Sequence, residues 1–352
     1  MSMPWRRVGI VLLATPVIVG CTGILYLQYR MRNIPIPARK HLRRALLAHH
    51  YGSTDYLAGS EYEAAIRYSL NGGLLLSSPE VTGVYEHLAD YYHKTGNVTA
   101  RRATLAVLFG AISQPPVGNN ETMSERTQRL KTAMKAAQWA SEAAEEAKDT
   151  AEARSYLEWI VENSLVLDSE HSGSSAASDS TSAVISAGNL RVNPWASPRQ
   201  TGMALEQLGH IYADSMLMDW AIPVYQRALE MLNQDKDLSF LERQCRSAIL
   251  HNNLAECLTK FENNKEALSQ ALQLASISIK TLQKAGPAGV CGECDPIAHY
   301  NLGAILDKLE RRRDAIDYFK LALVRSQNIG FVQGIEQANL ALNKPASTVT
   351  NP

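Results

Sequence analysis

The chain has 352 residues and is 45% apolar, enough for one large or two modest domains around a substantial core. Its 35 basic and 35 acidic residues cancel, which argues against the basic footprint of a nucleic-acid binder, and five cysteines are too few for a disulfide scaffold. Aromatics make up only 7% while alanine and leucine dominate, a composition that favours helix over strand.

The N-terminal stretch is set apart by charge. Residues 1–54 hold no Asp or Glu, yet carry Arg6, Arg7, Arg30, Arg32, Arg39, Lys40, Arg43 and Arg44; the first acid is Asp55. That composition suits a mitochondrial import signal, and it also suits juxtamembrane cations that meet anionic head groups. Within it, residues 8–27 run without a charge. At about 1.5 Å rise per residue this spans about 30 Å, the thickness of a bilayer core. Pro16, Gly20 and Gly23 would be costly in a soluble helix and are tolerated in a membrane one. Arg6 and Arg7 bracket one end, and Tyr26, Tyr29, Arg30 and Arg32 form an interfacial belt at the other. One transmembrane helix is expected over 8–27, within a targeting and anchoring segment 1–33. A cleaved secretory signal would have a shorter apolar run and an A-x-A site. The Ile18-Val19-Gly20-Cys21 run resembles a lipobox, but apolar Ile24, Leu25 and Leu27 follow it in place of a polar tether. Orientation depends on the membrane. The basic excess after the span puts the C-terminal part in the cytosol for a bacterial or secretory membrane, whereas an N-in anchor in a mitochondrial inner membrane puts it in the intermembrane space.

Beyond the stem the apolar pattern is helical and repeats. Residues 42–56 and 62–76 read as a helix pair with Ala65 near a small-residue position of the second helix. Tyr85, Leu88, Ala89 and Tyr92 read as the next helix, Gly96 as its turn, and Leu105 with Leu108 as its partner. A loop is expected over 114–121, which contains Pro115, Pro116 and Gly118, followed by a pair over 124–147 and 150–167. Residues 168–198 are rich in Ser, Ala and Gly without apolar period, and are expected as a flexible insertion dividing the array. Next come Leu205, Leu208, Gly209 and Tyr212 with Ala221, Tyr225 and Ala228; then Leu254, Ala255 and Leu258 with Ala267 and Leu274; then Leu302, Gly303 and Leu306 with Ala315, Phe319 and Ala322. Small residues at positions 8 and 20, another at 27 and bulk at 4, 7, 11 and 24 make up the tetratricopeptide pattern. The fold expected is all-α, a tetratricopeptide-type α-solenoid of five to six helix pairs: repeats over 34–167 and 199–343, with a disordered tail over 344–352.

No phosphate-binding loop, nucleophile elbow or H-E-x-x-H pair occurs, so no enzyme activity, cofactor or small-molecule substrate is expected. Cys291-Gly-Glu-Cys294 lies in a Gly/Pro-rich turn with only His299 nearby, short of a zinc ligand set. It reads as a structural turn, with a disulfide or redox pair of Cys291 and Cys294 as the alternative. His49, His50, His87 and His93 repeat no ligand spacing. What remains is the concave face, built from positions 2, 5, 6, 9, 12 and 13 of each first helix. These positions give Glu86, His87, Asp90 and His93 in the N-terminal half. In the C-terminal half they give Glu206, Gln207, His210 and Asp214, then Asn252, Asn253 and Glu256, then Tyr300, Asn301 and Asp307. A polar, mildly acidic face with amide groups suits main-chain amides and basic or extended segments of a client polypeptide. Glu86 and Glu206 stand where a clamp for an acidic tail would need Lys, so that ligand class is excluded.

With anchor, stem and repeats in place, the chain resembles the fungal tetratricopeptide adaptor of the mitochondrial inner-membrane i-AAA protease. The resemblance rests on the span at 8–27, the stem Pro35-Ile-Pro-Ala-Arg-Lys-His-Leu-Arg-Arg-Ala, and Glu80-Val-Thr-Gly ahead of a repeat. Cys291-Gly-Glu-Cys294 followed by Tyr300-Asn-Leu-Gly303 also contributes. It covers most of the chain except the Ser-rich stretch. It implies a single-pass inner-membrane subunit facing the intermembrane space, one that holds unfolded or misassembled membrane proteins for an ATP-dependent protease. An assembly factor for a respiratory complex and a bacterial envelope scaffold share the anchor-plus-repeat plan.

Overall fold

The computed structural model describes residues 31–51, 56–115, 121–167, 190–261, 264–287 and 289–344. The transmembrane helix expected over 8–27 lies outside the described residues, as do most of the Ser-rich stretch and the tail from 345. Among the described residues no helix is long and apolar enough to cross a membrane. These residues form helices and one short strand pair, in two compact units, Met1–Ala153 and Arg154–Pro352.

The first unit contains α1 (Ile36–Tyr51), α2 (Tyr56–Asn71), α3 (Pro79–Lys94), α4 (Val98–Ser113) and α5 (Met123–Glu146), each packed on its sequence neighbour. Local chemistry sets their ends. Pro79 opens α3, where a missing N–H costs nothing. Gly96 takes a left-handed turn at φ 70°, and the Asn97 side chain then caps α4 by accepting from Ala100 N. Thr122 and Glu125 form a reciprocal capping box at the start of α5. The core joins Ala38, Leu42 and Ala45 of α1 to Tyr62, Ala65 and Ile66 of α2 and to Val84, Leu88 and Tyr91 of α3. Met31 and Ile34 are buried in the same cluster, so the packed unit begins before residue 34. The first pair also starts and stops about six residues earlier than the apolar pattern suggests, because Ala38 and Ala58 already belong to the buried face.

α6 (Thr150–Ser164) crosses the boundary between the units. It ends three residues short of the expected 167, where β1 (Leu165–Leu167) begins and pairs antiparallel with β2 (Leu190–Val192), Leu165 opposite Val192 and Leu167 opposite Leu190. Residues 190–198, expected as the end of a flexible insertion, instead form β2 and the lead into the next helix, with Leu190 and Trp195 buried. The second unit continues with α7 (Pro198–Asp214), α8 (Met218–Gln234), α9 (Phe240–Leu258), α10 (Lys265–Ala285), α11 (Cys294–Lys308), α12 (Arg312–Ile329) and α13 (Val332–Asn343). α7 pairs with α8, α9 with α10 and α11 with α12; α8 stacks on α9 and α10 on α11, while α13 closes the end against α12 and α11. This is the stacked helix-hairpin plan that the repeat pattern predicts.

The small-residue positions explain the pairing. A Cβ on Gly209 would lie 2.7 Å from Tyr225 Cε1, and one on Gly303 would lie 2.8 Å from Phe319 Cε1. In both pairs the glycine at position 8 makes room for the ring at position 24, sixteen residues on. The middle pair has Ala255 and Ala271 at these two positions, both fully buried: it gains a methyl and loses a ring. The repeats lie further apart than in a standard array because α9 and α10 have 19 and 21 residues and because turns of several residues separate the pairs.

Candidate partner-binding groove

In the second unit the first helices of successive pairs are α7, α9 and α11, and they carry the residues expected to face a partner. Several of these are taken up between the helices themselves. Glu206 on α7 accepts a hydrogen bond from Arg246 Nη2 on α9 at 2.9 Å. Asn252 is buried, and its Oδ1 accepts from Asn301 Nδ2 on α11 at 3.2 Å. Lys308 Nζ donates to the Thr259 carbonyl at 2.8 Å, a second tie between α11 and the end of α9. Asp307 accepts from Arg312 at 3.3 Å and from Lys344 at 3.5 Å, and Tyr300 leans on Phe319 at 5.5 Å between ring centres. Gln207 is partly buried. Glu206, Asn252, Asn301 and Asp307 thus act first as cross-links of the array. Their partners Arg246 and Arg312, and the neighbouring cation Lys308, went unmarked in the sequence because no fixed spacing joins them to the acids and amides.

The residues left open converge on one place. His210 and Asp214 from the end of α7, Asn253 and Glu256 from α9, and Lys260 from the turn after α9 line a cavity of about 230 Å³ together with Tyr225. His210, Asp214 and Glu256 are exposed. Asn253 Nδ2 is buried and has no hydrogen-bond partner among the described residues, an arrangement that is costly unless an acceptor arrives. Glu256 lies 3.6 Å from Lys260 one turn on. Burial, reinforced by the nearby acidic groups, raises the Tyr225 pKa and keeps its phenol protonated, a hydrogen-bond donor at neutral pH. Burial likewise pushes the Cys257 thiol up to about 11, so the group behaves as a small apolar filler and not as a nucleophile. The chemistry offered is two carboxylates, the Lys260 cation beside one of them, one unsatisfied amide donor and an apolar rim that includes exposed Met216.

The equivalent face of the first unit is taken up by polar contacts. Glu86 holds Lys135 at 2.7 Å, Asp90 holds Lys94 at 2.8 Å, and His93 lies 3.7 Å from Glu146. His87 stacks on Tyr62, and burial lowers its pKa first and foremost, so it stays neutral near pH 7.

The cysteine turn departs from expectation. Cys291 bonds Cys245 of α9, not Cys294, with 5.3 Å between Cα atoms and 46 residues between partners. Cys294 is the first residue of α11 and is a free, partly buried thiol, pushed up to about 12 by burial and then by the Asp295 charge. The turn is held on its other side by Asp295, whose Oδ2 accepts from Gly289 N at 3.2 Å, while His299 Nδ1 lies 3.2 Å from Oδ1 and Arg325 lies 3.6 Å from Oδ2. Among the described residues no group of three or more ligating side chains could hold a metal ion.

No protein-family profile matches the chain, and neither does a curated relative. Solved structures align weakly. BtubC from P. vanneervenii is 13% identical with a TM-score of 0.46, covering 93% of this chain and 94% of its own. MamA is 13% identical with a TM-score of 0.43, covering 73% and 97%. A tetratricopeptide repeat protein from Parabacteroides merdae is 11% identical with a TM-score of 0.38, covering 88% and 100%. The repeat architecture stands on the helix pairing and the glycine–ring contacts, independent of these alignments.

Proposed function

We propose that the protein is a non-catalytic, membrane-anchored adaptor whose C-terminal repeats hold extended segments of unfolded or misassembled proteins for an ATP-dependent protease of the mitochondrial inner membrane. The observation that carries the binding reading is the Asn253 amide, buried without a partner beside Asp214 and Glu256. A main-chain carbonyl of an extended segment would satisfy the amide, while basic side chains or free N–H groups would meet the two carboxylates. The anchor and the protease partner rest on the uncharged run at 8–27, the acid-free stem and the family resemblance. The Cys245–Cys291 disulfide supports an oxidising compartment for the repeats, which fits the intermembrane space and argues against the cytosol.

The test is crosslinking to unfolded model clients in isolated mitochondria. Asn253→Ala combined with Asp214→Lys and Glu256→Lys should cut client capture severalfold while leaving thermal unfolding and protease co-purification intact. Undiminished capture by this variant would remove the groove from consideration. Loss of protease association with capture intact would make the same face the docking surface for the protease.

A further inference from the structure

We infer that the outer face of α1 lies on the head groups of an anionic bilayer, so that the first repeat pair is held flat against the membrane surface and does not hang from a free tether. The helix is amphipathic twice over. Ala38, Leu42 and Ala45 point into the core. On the opposite side Ile36 and Leu47 are 76% and 61% exposed. At about 100° per residue, Ile36, Lys40, Arg43 and Leu47 fall within an arc of roughly 60°. Lys40 and Arg43 are exposed and form no ion pair among the described residues. Arg44 at the edge of the face keeps half of its side chain in solvent despite a 3.6 Å contact to Glu61. Glu61 on α2 is the acid that approaches this face, and His41 already holds it at 2.6 Å. No acid occurs in residues 1–54.

Apolar residues along the centre of an exposed strip, flanked by Lys and Arg, form the pattern of a helix that sits at the boundary between head groups and acyl chains. A second copy of this chain would bring cations against cations. The position in the chain points the same way: only eight residues separate the uncharged run at 8–27 from Ile36. Nine peptide steps reach at most about 30 Å, so a membrane-spanning run would leave α1 within reach of the surface.

This inference rests on the anchor reading, and the experiment separates the two. The full chain is reconstituted in vesicles of phosphatidylcholine alone, or of phosphatidylcholine mixed with phosphatidylserine. A membrane-impermeant acylating reagent then labels Lys40, and exposed Lys131 of the same unit serves as the reference. Each cation near an anionic surface favours docking by about fivefold, so Lys40 labelling should slow on the order of tenfold in the anionic vesicles, with Lys131 unchanged. High salt should restore it, and so should Ile36→Asp with Leu47→Asp, two exposed positions whose replacement leaves the core intact. Equal Lys40 labelling in both lipids overturns the inference. Protection found only in native membranes also overturns it, and assigns the face to an acidic protein. Extraction of the chain from either vesicle by alkaline carbonate would instead sink the anchor reading.

Discussion

Gly209 leaves room for the ring of Tyr225 and Gly303 for that of Phe319, and the register repeats at Ala255 and Ala271 with a buried methyl at each position. Gly209→Ala should therefore drive a methyl into a buried ring and cost about 1–3 kcal/mol in thermal or denaturant unfolding. Tyr225→Ala in the same background should relieve the clash, so that the two changes are not additive. Unchanged unfolding by the single variant would mean that the helices are paired in another register. Asp295 gives a second expectation. Burial alone would raise its pKa, but the His299 contact, the Arg325 charge and the Gly289 N–H outweigh burial and hold the carboxyl below its usual range. A depressed carboxylate contributes stability above the unfolded pKa and loses it as the pH falls through the folded one. The melting temperature should thus fall below about pH 4 more steeply in the native chain than in Asp295→Asn. Parallel pH profiles would show that the network holds nothing.

Between elements, the disulfide ties α9 to the turn ahead of α11 across 46 residues. Cross-links closing loops of this size contribute about 2–4 kcal/mol, so Cys245→Ser should lower unfolding stability by that order. Peptide mapping after alkylation should recover Cys245 joined to Cys291, with Cys257 and Cys294 slow to react at neutral pH because burial raises both thiols. A Cys291–Cys294 peptide would refute the connectivity. The helix pairs themselves were legible in the sequence because their signal is local: Gly209, Ala221, Tyr225 and Ala228 fall within twenty residues. The disulfide was not, because Cys294 lies closer in sequence while Cys245 is brought up only by stacking. Glu206 and Asn252 lie on first helices, a placement their local pattern gives, but their engagement by Arg246 and Asn301 depends on residues 40 and 49 positions away. β1 stayed hidden for the same reason, since its partner lies beyond a segment with no apolar period.

For the whole molecule, the start of the packed chain has a practical consequence. Met31 and Ile34 are buried, Asn33 donates to Glu80 and Arg39 to the carbonyl of Arg32. Removing residues 1–30 should leave a soluble, cooperatively unfolding protein, whereas removing residues 1–34 should strip two core side chains. Core truncations of that kind cost about 2–5 kcal/mol each, which should appear as a lower melting temperature of the first unit. Equal melting of the two truncations would exclude Met31 and Ile34 from the core. A different freedom exists where Leu167 faces Leu190 across the strand pair. The two strands hold these ends together, and doubling the number of residues that join two such ends adds only about 0.6 kcal/mol of closure entropy. Evolution could lengthen, shorten or rewrite that stretch with little thermodynamic penalty, and an experimenter could splice a fluorescent reporter into it without disturbing the hairpins on either side.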